Sequence, residues 1–212
     1  MELKGQNILV FDCEIKNEIK NGIKWTDYDK MGMSVTASYN FRTDDYKIYF
    51  DDNFSELIAD LNSAEMVTGF NIKGFDIPLI ETIGKFKLSE KIIIYDMLEV
   101  SRKSVGNMYA NGLKLDNHLE SIFGSEGMKS NNGAMAPIMW QEKQIGSLCS
   151  YVLRDVNREK ALFEHIWQNG WVKTETHGQK NVKKPQEFLV IPSVSTAAKE
   201  AIVNAKDFKL GF

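Results

Sequence analysis

The sequence predicts an α/β fold, a mixed β-sheet flanked by α-helices, and three observations carry that prediction. Residues 6–15 (QNILVFDCEI) are apolar from Ile8 onward except for Asp12 and Glu14, as suits a strand covered on both faces. Two alternating, β-branched segments follow it before any long helical pattern. Helical and strand-like patterns then alternate as far as residue 170. Consecutive strands followed by alternation imply a mixed sheet flanked by helices.

The elements follow in order. Residues 33–40 (MSVTASYN) and 46–50 (YKIYF) alternate and form two strands of a meander, joined by a turn at 42–45. Ser55 is the expected cap of a helix over 56–64. Residues 65–70 (EMVTGF) form the next strand, and 75–83 a helix that admits Pro78 in its first turn. Residues 91–98 (KIIIYDML) read as a fifth strand, and 114–123 (KLDNHLESIF) as an amphipathic helix stopped by Gly124. The Ser-, Asn- and Gly-rich stretch 125–137 reads as a loop. Residues 141–168 read as one long helix or two, ended by Gly170. Beyond Trp171 the character changes. Lys173, Lys180, Lys183 and Lys184 cluster, a strand-like EFLVI follows, and a terminal helix is expected over 195–205. The expected division is therefore a domain over 1–170 and an accessory segment over 171–212, packed on the same domain.

Bulk properties narrow the class. With 43% hydrophobic and 26% charged residues the 212-residue chain has the balance of a soluble protein able to bury a core without staples. Cys13 and Cys149 fall in no metal-binding spacing and read as free thiols of a reducing compartment. The N-terminus lacks the apolar run and cleavage site of a signal peptide, and no stretch approaches a membrane span, so a cytoplasmic location is expected. A net charge of −3 and a pI near 5.7 speak against a tight, non-specific nucleic-acid binder. They leave a nuclease open, because clustered acids lower net charge and bound cations neutralise them where a phosphate lies.

Asp12 and Glu14 are two apart on a strand, so both carboxylates project from one face and Cys13 from the other. Two acids in an apolar strand are costly to bury. Either the strand end reaches solvent or the pair holds a hard divalent cation, which takes carboxylate and water oxygens. Asp76 opens a helix after the turn at Asn71 and Gly74, where an N-cap explains it equally well. Tyr151 and Asp155 are four apart on a helix and share a face. Each motif alone has a plain structural explanation.

Together and in this order, FDCE, NIKGFD and YVLRD resemble the three motifs of the DEDD superfamily of 3′–5′ exonucleases, which has a ribonuclease H-like fold. Tyr151 resembles the Tyr-type branch, and NIKGFD and KLDNHLESIFG resemble elements of the proofreading domain of family B DNA polymerases. The likeness runs from about residue 8 to 166 and leaves no room for the polymerase, so a stand-alone exonuclease is implied. The resemblance implies that Asp12, Glu14, Asp76 and Asp155 hold two divalent cations, Mg²⁺ or Mn²⁺, with Asp12, Glu14 and Asp155 around one and Asp12 and Asp76 around the other. Tyr151 is implied to orient the attacking water, since a phenol with a pKa near ~10 is a poor base at neutral pH. Asn71 and Phe75, with Cys13 and Ile15, are the implied contacts to the terminal nucleotide.

The implied reaction is hydrolysis of single-stranded DNA from the 3′ end to nucleoside 5′-monophosphates, with replication or repair proteins as possible partners. RNA is the alternative substrate, and a non-catalytic nucleic-acid-binding module the alternative class. Several residues read as structural. His118 is expected at the surface or its boundary, His165 too far along its helix to join the site, and Asp96 at a strand end, with support of the metal ligands as its alternative. Lys129 reads as a solvated loop lysine. Trp25, Tyr28 and Met31 serve either base stacking or the core.

Overall fold

The central strand β1 (Ile8–Ile15) has two kinds of neighbour. On one side β2 (Met33–Asn40) runs antiparallel to it and carries β3 (Asp45–Tyr49) at the sheet edge. On the other, β4 (Met66–Gly69) and β5 (Ile93–Asp96) run parallel to it. The order β3-β2-β1-β4-β5 is the mixed sheet expected, in a computed structural model that describes residues 2–20, 22–109, 112–124 and 135–187.

Alternation along β1 divides the core. Leu9, Phe11, Cys13 and Ile15 face a cluster with Leu57 and Leu61 of α2 (Phe54–Ser63), Ile77 and Ile80 of α3 (Asp76–Gly84), and Met31 of the single turn α1 (Tyr28–Met31). Ile8 and Val10 face the opposite cluster with Val35, Ala37 and Tyr39 of β2. That face is covered by α7 (Ile145–Asn169), through Leu148, Val152, Val156, Leu162 and Phe163. Each such buried aliphatic or aromatic side chain is worth about 1.5–3 kcal/mol.

Three expectations need correction, and one open alternative is resolved. The helix α2 begins earlier than expected, after a 3₁₀ turn at Asp51–Asn53, so Ser55 lies inside it and caps nothing. β5 stops at Asp96, and Met97 and Leu98 begin a helix, α4 (Met97–Val105), because the Asp96 carboxylate accepts the N–H groups of Leu98 and Glu99 as an N-cap. After α5 (Leu115–Phe123), the expected loop is cut short by α6 (Met135–Gln141), which contains Pro137. The turn between α6 and α7 has Lys143 in the left-handed region at φ 58°, so the two are separate helices.

Beyond Gly170, whose φ of 72° caps α7, β6 (Trp171–Thr174) and β7 (Gly178–Asn181) form a hairpin. It is joined to the domain by Val172, buried in the core under α7, and by a contact of His118 Nδ1 with the Lys173 carbonyl at 3.0 Å; just beyond it Tyr95 Oη donates to the Lys183 carbonyl at 2.9 Å. His118 is thus fully buried rather than at the surface. Of the expected EFLVI strand only Glu187 is described, in a 3₁₀ turn at Pro185–Glu187; its remainder, the helix over 195–205 and Lys129 lie outside the described residues. Cys13 is buried and Cys149 half-buried, both free. Among the described residues no helix is long and apolar enough to cross a membrane.

Candidate metal centre

The face of β1 that presents Ile8 and Val10 continues, two residues at a time, to Asp12 and Glu14. They therefore point at the helix that covers this face, α7. There, Tyr151 and Asp155 meet them one turn apart. Carboxylate oxygens of Asp12, Glu14 and Asp155 all lie within 4.8 Å of one another. Opposite ligands of a cation with bonds near 2.1 Å stand about 4.2 Å apart, so the three need move little to share one.

Asp76 arrives from another direction. β4 ends at Gly69 while β1 continues, and the Cys13 N–H donates to Asp76 Oδ1 at 3.0 Å. The turn carrying Asp76 is held from beneath by Asp96. Its carboxylate accepts the N–H groups of Asn71 and Lys73 at 3.1 and 3.0 Å, besides the two of α4. Asp96 is buried, and supports the site's backbone rather than merely ending a strand. Asn71 has φ 71°, a left-handed position that Asn tolerates. Its Oδ1 fills the space that a Cβ on Gly74 would need.

Two residues went unnoticed in the sequence. Glu159, one turn beyond Asp155, is buried and lines the same cleft. Arg158 is buried too; it pairs with Asp155 at 2.9 Å and with Asp116. The i,i+4 spacing from Asp155 was a visible signal for Glu159, but a charged residue on a helix reads by default as solvated.

Electrostatics follows from crowding. Burial, then the charge of Glu159, then those of Asp76, Glu14 and Asp155, push the Asp12 carboxyl well above the usual range. Burial, followed by Asp155 and Asp76, does the same to Glu14. Asp76 is raised to about 7 by burial, against the opposing bond from Cys13. Burial also raises the Tyr151 phenol, helped by the charge of Asp155, so it is a neutral hydroxyl at physiological pH. An oxygen-only donor set whose charges repel one another fits hard divalent cations, which relieve that repulsion.

Beside the acids a slot of about 380 Å³ is lined by Glu14, Ile15, Glu18, Ile19, Trp25, Phe75 and Pro137. The Trp25 and Phe75 rings are 4.9 Å apart, and Trp25 is 53% exposed, so it is no core residue. Tyr28 meets the edge of Phe75 at 6.3 Å, while Met31 is fully buried. Ile15 lines the slot. The Cys13 side chain does not reach it: two residues before Ile15 on the same strand face, it is buried in the core 3.1 Å from Thr36 Oγ1. His165 is remote from the acids, its ring 4.3 Å from that of Trp171.

The family model of the RNase H superfamily matches residues 22–169, a span that holds Asp76, Tyr151 and Asp155 and begins after Asp12 and Glu14. Among solved structures, the family B DNA polymerase from the hyperthermophilic archaeon Pyrobaculum calidifontis is similar in fold, with a TM-score of 0.57 and 14% identity. The match covers 75% of this chain and 24% of the polymerase, so the chain spans about a quarter of that protein's length. No curated protein sequence matches the chain.

Proposed function

The chain belongs to the RNase H superfamily, and from that premise we propose that it is a metal-dependent 3′–5′ exonuclease acting on single-stranded DNA. One observation carries the reading. A strand and a helix, far apart in sequence, bring Asp12, Glu14 and Asp155 to one cleft, a strand-to-helix turn holds buried Asp76 against the backbone between Asp12 and Glu14, and an aromatic slot of nucleotide size opens beside the cleft. In this reading Asp12, Glu14 and Asp155 hold one divalent cation and Asp12 with Asp76 a second. When bound, the pair supplies Lewis acidity and charge neutralisation at the scissile phosphate.

The remaining roles belong to the chain's own groups. The Tyr151 hydroxyl keeps its proton, so it positions the attacking water by hydrogen bonding and does not deprotonate it. Arg158 fixes the Asp155 carboxylate through their 2.9 Å pair. Asp96 fixes the backbone on which Asp76 is mounted. Phe75 and Trp25 offer faces on which a terminal base stacks irrespective of its identity, with Ile15 closing the slot. Asn71 acts by shaping the turn, and Cys13 through its backbone N–H to Asp76. Stacked duplex ends would have to fray to enter, which favours single strands. The products would be nucleoside 5′-monophosphates.

The test is a 5′-labelled oligodeoxynucleotide with Mg²⁺ or Mn²⁺. Stepwise shortening from the 3′ end that disappears in D12A/D76A is expected. Absence of shortening, or shortening that survives both substitutions, overturns the proposal. A matched oligoribonucleotide decides between DNA and RNA.

A further inference from the structure

Glu159 has more acid chemistry around it than a helix-packing role requires. It lies on the face of α7 that bears Tyr151 and Asp155, one turn beyond the latter. It is 3% exposed, in a position flanked on the same helix by Val156, Leu162 and Phe163 of the core. Its Oε1 accepts the Phe70 N–H at 3.1 Å. Its Oε2 is closed off from solvent and has no hydrogen-bond partner among the described residues. An unpartnered carboxylate oxygen in such surroundings is destabilising unless something of positive charge meets it.

The backbone makes room for that oxygen. A Cβ on Gly69 would stand 3.0 Å from Glu159 Oε2, 2.8 Å from the Phe11 carbonyl and 2.4 Å from Ile72 Cγ2. The last residue of β4 is thus one at which any side chain would crowd this carboxylate. The cleft that Glu159 lines is also lined by Asp12, Glu14 and Asp155. Of the charged groups around Asp12, Glu159 acts on it most strongly, and of those around Glu159 the strongest is Asp76. Glu159 thus belongs to the same acidic cluster as Asp12, Glu14 and Asp155.

We propose that Glu159 is a fifth carboxylate of the metal centre, its Oε2 serving one of the two cations; this rests on the two-cation reading above. A purely structural Glu159 would need only to accept the Phe70 N–H, and a glutamine does that as well.

The experiment titrates Mn²⁺ into the metal-free full chain without nucleic acid, by electron paramagnetic resonance and calorimetry. Wild type is expected to bind two Mn²⁺. E159Q, with its fold checked by circular dichroism, is expected to weaken one of the two sites at least tenfold and leave the other within about twofold. Two sites of unchanged affinity in E159Q overturn the proposal and leave the two-cation reading standing. A wild type that binds fewer than two Mn²⁺ overturns that reading, and this proposal with it. Should E159Q fail to fold, E159D retains the charge but withdraws the oxygen by one methylene. The same selective weakening is then expected, and unchanged affinity overturns the proposal.

Discussion

One face of one strand, covered by one helix, has two chemically opposite ends. At the start of β1, Ile8 and Val10 meet Phe163 and Leu162 of α7 in a dry core. Two residues further, the same face presents Asp12 and Glu14 to Tyr151, Asp155 and Glu159. The backbone geometry is shared, and the alternation of β1 against the 3.6-residue repeat of α7 runs through both ends. The apolar end stabilises by burial and needs no partner beyond itself. The acidic end stores repulsion, relieved in part by Arg158 and hydrogen bonds from backbone N–H groups. A fold can hold such a strained cluster rigidly only because the adjoining core supplies the stability that the cluster removes.

Substitutions at the two ends should separate the contributions. At the acidic end, D12A should lower the rate of the proposed exonuclease reaction by at least ~10³-fold, since the position serves both proposed cations. The metal-free variant should melt no lower than wild type, because a repelling charge has gone; rate assays and thermal melts of the same preparation check both halves. At the apolar end F163A should do the reverse. It should destabilise by about 3–5 kcal/mol, leaving the rate per folded molecule within a few-fold, as chemical denaturation with active-site titration would show.

The pH dependence of stability sharpens the comparison further. Asp76 titrates near 3.8 when unperturbed and at about 7 in the fold. Between those values the folded state retains a proton that the unfolded chain has lost. Its stabilising contribution is therefore complete below about pH 4 and is lost as pH rises through 7. Metal-free wild type should fall behind D76N by on the order of 5 °C in Tm between pH 4 and 8, and saturating Mn²⁺ should narrow the gap by stabilising wild type. The smallest effect is expected at the slot. W25A should raise KM about tenfold with little change in kcat, the loss of one stacked base face, and quenching of Trp25 fluorescence by a mononucleotide should vanish with it.

The legible parts of this chain were those in which local pattern and global demand agree. β2 is seen in the sequence at its true limits because its alternation, MSVTASYN, has one reading. The strand-turn-helix order of the acids was legible for the same reason. Asp96 was not, because its worth lies in four N–H groups from two segments that only the fold brings together. His118 was misplaced at the surface because the hairpin that buries it lies more than fifty residues downstream. Trp25 had two equal readings until its ring was seen over Phe75 rather than under the sheet.

The sequence by itself determined that Asp12 and Glu14 share a face and that Tyr151 and Asp155 share another, since each follows from the repeat of a single element. Only the tertiary structure decided that those faces meet, that Asp76 takes the Cys13 N–H beyond the end of β4, and that Glu159 lies buried among them. The reason is physical. A repeat specifies which side chains travel together, whereas burial and charge depend on what the rest of the chain places opposite.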